Sequence, residues 1–429
     1  MKSWAKRVVS AVLSLLAKAA LVRFRPKVAA ITGSVGKTST KDAIFTVLSQ
    51  FYHTRKSEKS YNSEIGIPLT ILGMPNAWSN PVLWVKNFLG ALTLLFFKSE
   101  YPDWLVLEVG ADRPGDVASL SWLKPHVAVV TRLPEVPAHV EFFSSRDALV
   151  LEKSGLVRAA RPDGAIVLNA DDPDVLAMGR SYSGRIITFG LGSRADIRGL
   201  AAEFVYDQAG RPAGMRYKIK SGEEVAVVHL PGALGEHHLY PVLAAMAVGE
   251  SLKLNFGQMV EVLGRHVSPP GRMRIIPGLK GATVIDDSYN SSPAAAKEAL
   301  TTLKNLKAGG RKVAVLGDML ELGRFAAAEH EKLGRYAAAC ADLLVAVGLR
   351  ARSIAEGALE AGLVKDKIFQ FDEALEAGQF VQNLISGGDV VLVKGSQGIR
   401  LEKVVEEVMA EPERRAELLV RQEPEWTKR

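Results

Sequence analysis

A single cysteine in 429 residues rules out an internal disulfide and any cysteine-rich metal site, and it points to a reducing, cytoplasmic setting. That residue, Cys340, sits in the apolar run YAAACADLLVAVG, where a buried structural thiol is expected. Acidic residues are missing from the whole segment before Asp42, although nine basic ones fall there, from Lys2 to Lys41. Elsewhere the two signs mix, and the net charge is +7. No basic stripe is interleaved with aromatics, so nucleic acid is not an expected partner. Nor is there an apolar run of the ~20 residues needed to span a bilayer. Lys18 interrupts MKSWAKRVVSAVLSLLAKAALVRF, and Lys86 interrupts PVLWVKNFLGALTLLFFK. The first of these has the basic start and apolar middle of a signal peptide. A core strand follows it at once, so an uncleaved basic amphipathic helix is the better reading.

What is present is a long alternation of strand and helix patterns. VAAIT, WLVLEVG, HVAVVT, GAIVLNADD and RIITFG are apolar, β-rich runs ending in turn residues, which predicts a mostly parallel sheet with helical crossovers. Residues 203–230 switch to period-two patterning broken by AGRPAG and SGEE, which predicts a small antiparallel meander. RHVSPPGRMRIIPGLKG reads as a hinge, and a second α/β pattern runs from ATVIDDSY to DVVLVKGS. The final RQEPEWTKR reads as a loosely held tail.

The stretch ITGSVGKTSTKD, residues 31–42, follows the first strand and opens a helix. Backbone N–H groups of Gly33, Ser34, Val35, Gly36 and Lys37 can surround phosphate oxygens there, and the helix N-terminus adds positive potential. Lys37 can neutralise terminal phosphates, and the Thr38 hydroxyl suits Mg²⁺. Ile31 stands where the usual phosphate loop has its first glycine. The short form T-G-x-x-G-K-T, Thr32 to Thr38, instead resembles the loop of the Mur ligase family, which makes amide bonds by activating a carboxylate with ATP. YNSEIGIPLTIL, LEVGADRPGD, TRLPEVPAHVEFFSS, GRMRI, IDDSYNSSP, LGDMLELG and VLVKGS are similar to further motifs of that family, in order. They fit best the branch that adds D-alanyl-D-alanine to a peptidoglycan precursor. The expected architecture is therefore α/β. A basic helix (1–27) precedes a central P-loop ATPase domain (28–268) with a mostly parallel sheet, the meander and the apolar segment 81–98. A Rossmann-like α/β domain (269–429) follows.

The resemblance implies ATP and Mg²⁺ as cofactors and assigns roles by position. Thr32 to Thr38 and Ser39 would hold the nucleotide phosphates, with Asn169, His237, Arg272 and Asp287 completing the nucleotide site. Thr38, Glu108 and His139 would ligate Mg²⁺, with Glu141 a weaker candidate. Lys153 would be carbamylated by CO₂ and help to hold a second Mg²⁺. Lys37, Glu108, His139, Lys153 and Arg272 would serve the chemistry. Substrate contacts would come from Asn62, Ser63, Tyr289, Asn290, Ser291, Lys394 and Ser396, with Pro293 shaping the incoming-amine side. No role is derived for His330.

Three departures from the family pattern stand out. GEHHLYP carries His238 and Pro241 where two asparagines are usual, and Arg132 adds a cation in TRL. About 27 residues precede the first strand, too few for the domain that grips a UDP-sugar in this family. The expected partners are a peptide-bearing cell-wall precursor and D-alanyl-D-alanine or a similar amine. The acceptor could also be lipid-linked or another non-UDP carrier, and a catalytically silent scaffold is the alternative from another class. Residues 1–25 and 81–98 could pack internally, meet an anionic membrane surface at its inner face, or form an oligomer interface.

Overall fold

A computed structural model describes residues 3–58, 61–78, 80–111, 113–135, 140–423 and 426. Two sheets organise them. The first has nine strands: β1 (Lys27–Thr32), β2 (Thr54–Lys56), β3 (Trp104–Glu108), β4 (Val127–Val130), β5 (Ala165–Asn169), β6 (Arg185–Gly190), β7 (Ile197–Tyr206), β8 (Pro212–Ser221) and β9 (Glu224–Pro231). Their order is β2-β3-β1-β4-β5-β6-β7-β8-β9. Pairing is parallel as far as β7, which joins β6 through only two residue pairs, and antiparallel through β8 and β9. The meander expected over 203–230 is thus a continuation of the main sheet. The short edge strand β2 carries no sequence signal, since TRK is polar and three residues long.

The second sheet has six strands: β10 (Arg274–Pro277), β11 (Thr283–Asp287), β12 (Lys312–Gly317), β13 (Leu343–Val347), β14 (Ile368–Phe371) and β15 (Val390–Lys394). Their order is β10-β11-β15-β12-β13-β14, all parallel except β10. Part of the expected hinge is therefore an edge strand. Its entry is strained: Gly271 has φ 70°, and Met273, a fully buried non-glycine, has φ 50°.

Both faces of the first sheet are covered, which is why its strands read as unbroken apolar runs. In β1, Ala29 and Ile31 face helix α2 (Lys37–Phe51), with Ile44, Val47 and Leu48. Val28 and Ala30 face the opposite layer. That layer holds α1 (Ser3–Phe24), α3 (Gly66–Leu72), α4 (Pro81–Phe96) and α5 (Arg146–Ala159). α1 buries Leu13, Ala17 and Ala20, and α4 buries Trp84 and Ala91, so both segments pack on the body. Among the described residues no helix is long and apolar enough to cross a membrane. Cys340 is a free, buried thiol.

The start of the expected loose tail is held, while residues 424–425 and 427–429 lie outside the described residues. Arg421 is buried and pairs with the buried Glu402 at 2.8 Å. It also donates to the carbonyls of Ser288 and Tyr289. A desolvated guanidinium needs such partners, and they fix this end of the chain.

Candidate active site

β1 lies between β3 and β4; its own connection runs to β2 on one side and that of β4 runs to β5 on the other, so the loop leaving its C-terminal end opens into a crevice. That loop is held in place by β4. Ser34 N donates to Arg132 O (2.8 Å), and Thr131 Oγ1 donates to Val35 O (2.7 Å). Gly33 has φ 140°, and a Cβ there would stand 2.0 Å from Thr131 Oγ1, so only glycine fits. Gly36, at φ 83°, is the N-cap of α2 and offers no side-chain cap. The first-turn N–H groups of α2 therefore face the crevice without a capping acceptor.

Thr38 stands in that first turn. Its hydroxyl donates to Glu108 Oε2 at 3.0 Å, and Asn62 Nδ2 donates to Glu108 Oε1 at 3.3 Å. Glu108 ends β3 in register with Ile31, and Ser57 Oγ accepts its backbone N–H at 3.2 Å. Ser57 was not among the expected site residues, and a lone serine gives no sequence signal. From across the crevice, Arg272 Nη2 donates to Thr38 Oγ1 at 3.3 Å while its guanidinium lies 4.2 Å from the Tyr289 ring centroid. Lys153, fully buried on α5, reaches beneath the loop and donates to Gly33 O at 3.2 Å.

Ser34 to Thr38, Asn62 and Glu108 bound one side of a cleft of about 220 Å³, which Lys153 and Ser57 do not line. Arg272 and the loop from Tyr289 to Ser292 bound the other. A larger groove of about 490 Å³ runs along β6, β7 and β8, away from all of these residues.

Other expected residues stand behind the cleft. Lys394 pairs with Asp287 at 2.7 Å, both buried, and donates to Asn290 O at 3.0 Å. Asp287 Oδ1 also accepts Met273 N–H. Ser396 Oγ donates to Ser291 O and accepts Leu320 N–H. Lys394 and Ser396 thus reach the cleft through backbone carbonyls. Ser63 accepts Gly66 N–H at the start of α3, and Asn169 accepts Asp171 N–H at the end of β5; neither lines the cleft. Ser39 is buried within α2. His330 accepts Met319 N–H at Nε2 and contacts Ala326 O at Nδ1, so it is a structural residue of the second body. Glu141 is exposed and lies beside Gly323. His139 lies outside the described residues.

The electrostatics favour anions in the cleft and a neutral imidazole pair beside it. The His237 and His238 rings lie 4.7 Å apart, tilted by 35°. Burial, then Lys394 and Arg272, lower His237 to about 3; burial, then His237, hold His238 well below its ordinary range. Among the described residues, buried polar atoms without a partner here include Thr32 Oγ1, Ser34 Oγ, His238 Nε2 and Arg272 Nε. Buried orphans of this kind fit a polar ligand bearing several acceptors, such as a nucleotide phosphate chain. Thr38 and Glu108 supply hard oxygen donors 3.0 Å apart, which suits Mg²⁺.

The sequence matches the Mur ligase middle domain over residues 31–83 and 86–249, and the Mur ligase glutamate ligase domain over 271–397. It is 30% identical over 402 residues to the UDP-N-acetylmuramoyl-tripeptide–D-alanyl-D-alanine ligase of Bacillus subtilis, covering 93% of this chain and 79% of that one. The Mycobacterium tuberculosis ligase of the same name is 32% identical over 433 residues, covering 94% and 78%. The crystal structure of MurF from Thermotoga maritima in complex with ADP superposes with a TM-score of 0.76 at 27% identity, covering 95% of this chain and 84% of that one.

Proposed function

Because the chain belongs to the Mur ligase family, we propose that it is an ATP-dependent amide ligase joining D-alanyl-D-alanine to a muramoyl-tripeptide precursor of peptidoglycan. The observation that carries this reading is the convergence of Lys37, Thr38 and Glu108 with Arg272 from the facing wall, around one cleft. ATP supplies the phosphoryl group: a carboxylate oxygen bonds to the γ-phosphorus as the bond to ADP breaks. The amine nitrogen then bonds to the acyl carbon, inorganic phosphate leaves with the bonding pair, and the amine loses a proton.

The chain's own residues would serve those steps by holding charge in place. The uncapped turn of α2 and Lys37 would bind the phosphates. Thr38 and Glu108 would hold Mg²⁺, with His139 proposed as a further ligand. Arg272, oriented by Tyr289, would complete the cationic shell from the other wall. Lys153 is the proposed carbamylated lysine; as a carbamate its end would turn from cation to anion beside the loop. A mass increase of one CO₂ on the peptide containing Lys153, lost in Lys153→Arg, is the expected result.

The reading is tested by ADP release with paired substrates. Turnover is expected only when ATP, D-alanyl-D-alanine and UDP-muramoyl-tripeptide are all present. Turnover with another amine or acceptor and none with this pair would move the chain to a related ligase. ATP binding with no turnover for any pair would make it a scaffold.

A further inference from the structure

Two neighbouring helices of the first body each bury one stripe and leave a second apolar stripe in solvent. On α4 the inward residues are Trp84, Asn87 and Ala91. The outward residues, Val82, Val85, Leu89, Leu92 and Phe96, recur at helical spacing; Leu89 is 61% and Phe96 75% exposed. On α1 the outward stripe contains Val12, Leu15 and Val22, with Leu15 68% and Val22 74% exposed. The helices are tied at one end, where Arg23 donates to the carbonyls of Leu95 and Phe97. A helix that only served the core would carry polar residues on its outward face.

The charges on these faces are of one sign. Arg7, Lys18, Lys86 and Lys98 are exposed, and neither 3–24 nor 81–98 contains an aspartate or glutamate. A second copy docked on this face would bring like charges together. A surface combining anionic groups with hydrocarbon would satisfy both features at once. α4, at 16 residues, spans about 24 Å, short of the ~30 Å hydrocarbon core, so it would lie in the interface plane.

We infer that the outward faces of α1 and α4 form a docking surface for an anionic lipid bilayer. The apolar stripes enter the headgroup boundary and the basic residues meet the lipid phosphates. This sets the helical layer that covers Val28 and Ala30 against the membrane. The surface is independent of the ligase reading, since neither helix lines the cleft.

The test is flotation of the full chain with vesicles of phosphatidylcholine alone and of phosphatidylcholine with phosphatidylglycerol. Binding is expected only to the anionic vesicles, and it should weaken as salt is raised. Leu89→Asp and Phe96→Asp, both at exposed positions, should each lower partitioning at least about tenfold. Lys18→Glu with Lys86→Glu should remove the preference for anionic lipid, since each basic residue near the surface contributes about fivefold. ADP release by these variants in vesicle-free solution should equal that of the unaltered chain, which reads the fold and the ligase reaction separately. Equal flotation of the unaltered chain and Leu89→Asp would overturn the proposal. So would absence of flotation, or concentration-dependent dimers that Leu89→Asp abolishes.

Discussion

One wall of the cleft is made of short side chains at strand and helix ends. Thr38 and Asn62 each donate to Glu108 within 3.3 Å, and all three present their functional atoms directly. The other wall, Tyr289 to Ser292, is a loop whose position is set from behind by buried charges. Lys394 holds the Asn290 carbonyl, and Arg421, itself paired with Glu402, holds those of Ser288 and Tyr289. The first wall gains its geometry from the sheet register. The second depends on ion pairs that cost desolvation and return it only when every partner is present. Substitutions on the first wall should therefore act on chemistry, and those behind the second on position and stability.

The largest effect is expected at Lys37. Lys37→Ala removes a cation from the cleft without touching the core, so kcat for ADP formation should fall about 100- to 1,000-fold with the unfolding midpoint unchanged. Glu108→Gln is nearly isosteric but removes the charge, and its amide oxygen can accept from only one of Thr38 and Asn62. It should raise the Mg²⁺ concentration needed for half-maximal rate. If Lys37→Ala instead lowered the unfolding midpoint and left kcat intact, the first wall would be structural, and the contrast would fail.

Behind the second wall, Arg421→Met should destabilise the chain by about 1–3 kcal/mol, because the Ser288 and Tyr289 carbonyls lose their donor and buried Glu402 is left with Arg400 alone. Denaturant unfolding measures this. The Arg421 guanidinium also lies 5.5 Å from the Tyr289 ring centroid, the ring against which Arg272 stacks. KM for ATP should therefore rise in the folded fraction. An unchanged KM would mean that Arg421 serves stability alone.

The same contrast explains what the sequence made legible. Short-range pattern marks the first wall: a strand, a glycine-containing loop and a helix in sequence, with Glu108 at the end of an apolar run. The second wall is assembled from Arg272, 286–292, Lys394, Glu402 and Arg421, spread over about 150 residues, and no periodicity links them. RQEPEWTKR is polar and terminal, features shared by tails that nothing holds, so Arg421 could not be distinguished as buried. The segments 1–25 and 81–98 were readable as helices. Which of their stripes met the body depended on α3 and on each other, a tertiary fact outside any window. Ser57 and Glu298 were invisible for a similar reason, since each acquires its role only from the partner that packs against it.

Arg132 and Glu298 join the two walls, and the smallest effect is expected there. Arg132 leaves the end of β4 beside the phosphate loop and pairs with Glu298 on the helix Pro293–Asn305. Burial holds the Glu298 carboxyl above its ordinary range, and Arg132 counters this. Because the Arg132 side chain is 42% exposed, the pair is worth no more than about 1 kcal/mol. Arg132→Asn should raise KM for ATP about two- to fivefold and leave kcat nearly unchanged, because the walls still meet through Arg272 and Thr38. Glu298→Gln should reproduce that shift if the pair acts by joining the walls. A rise above about tenfold for Arg132→Asn, with none for Glu298→Gln, would instead place the Arg132 guanidinium on the nucleotide.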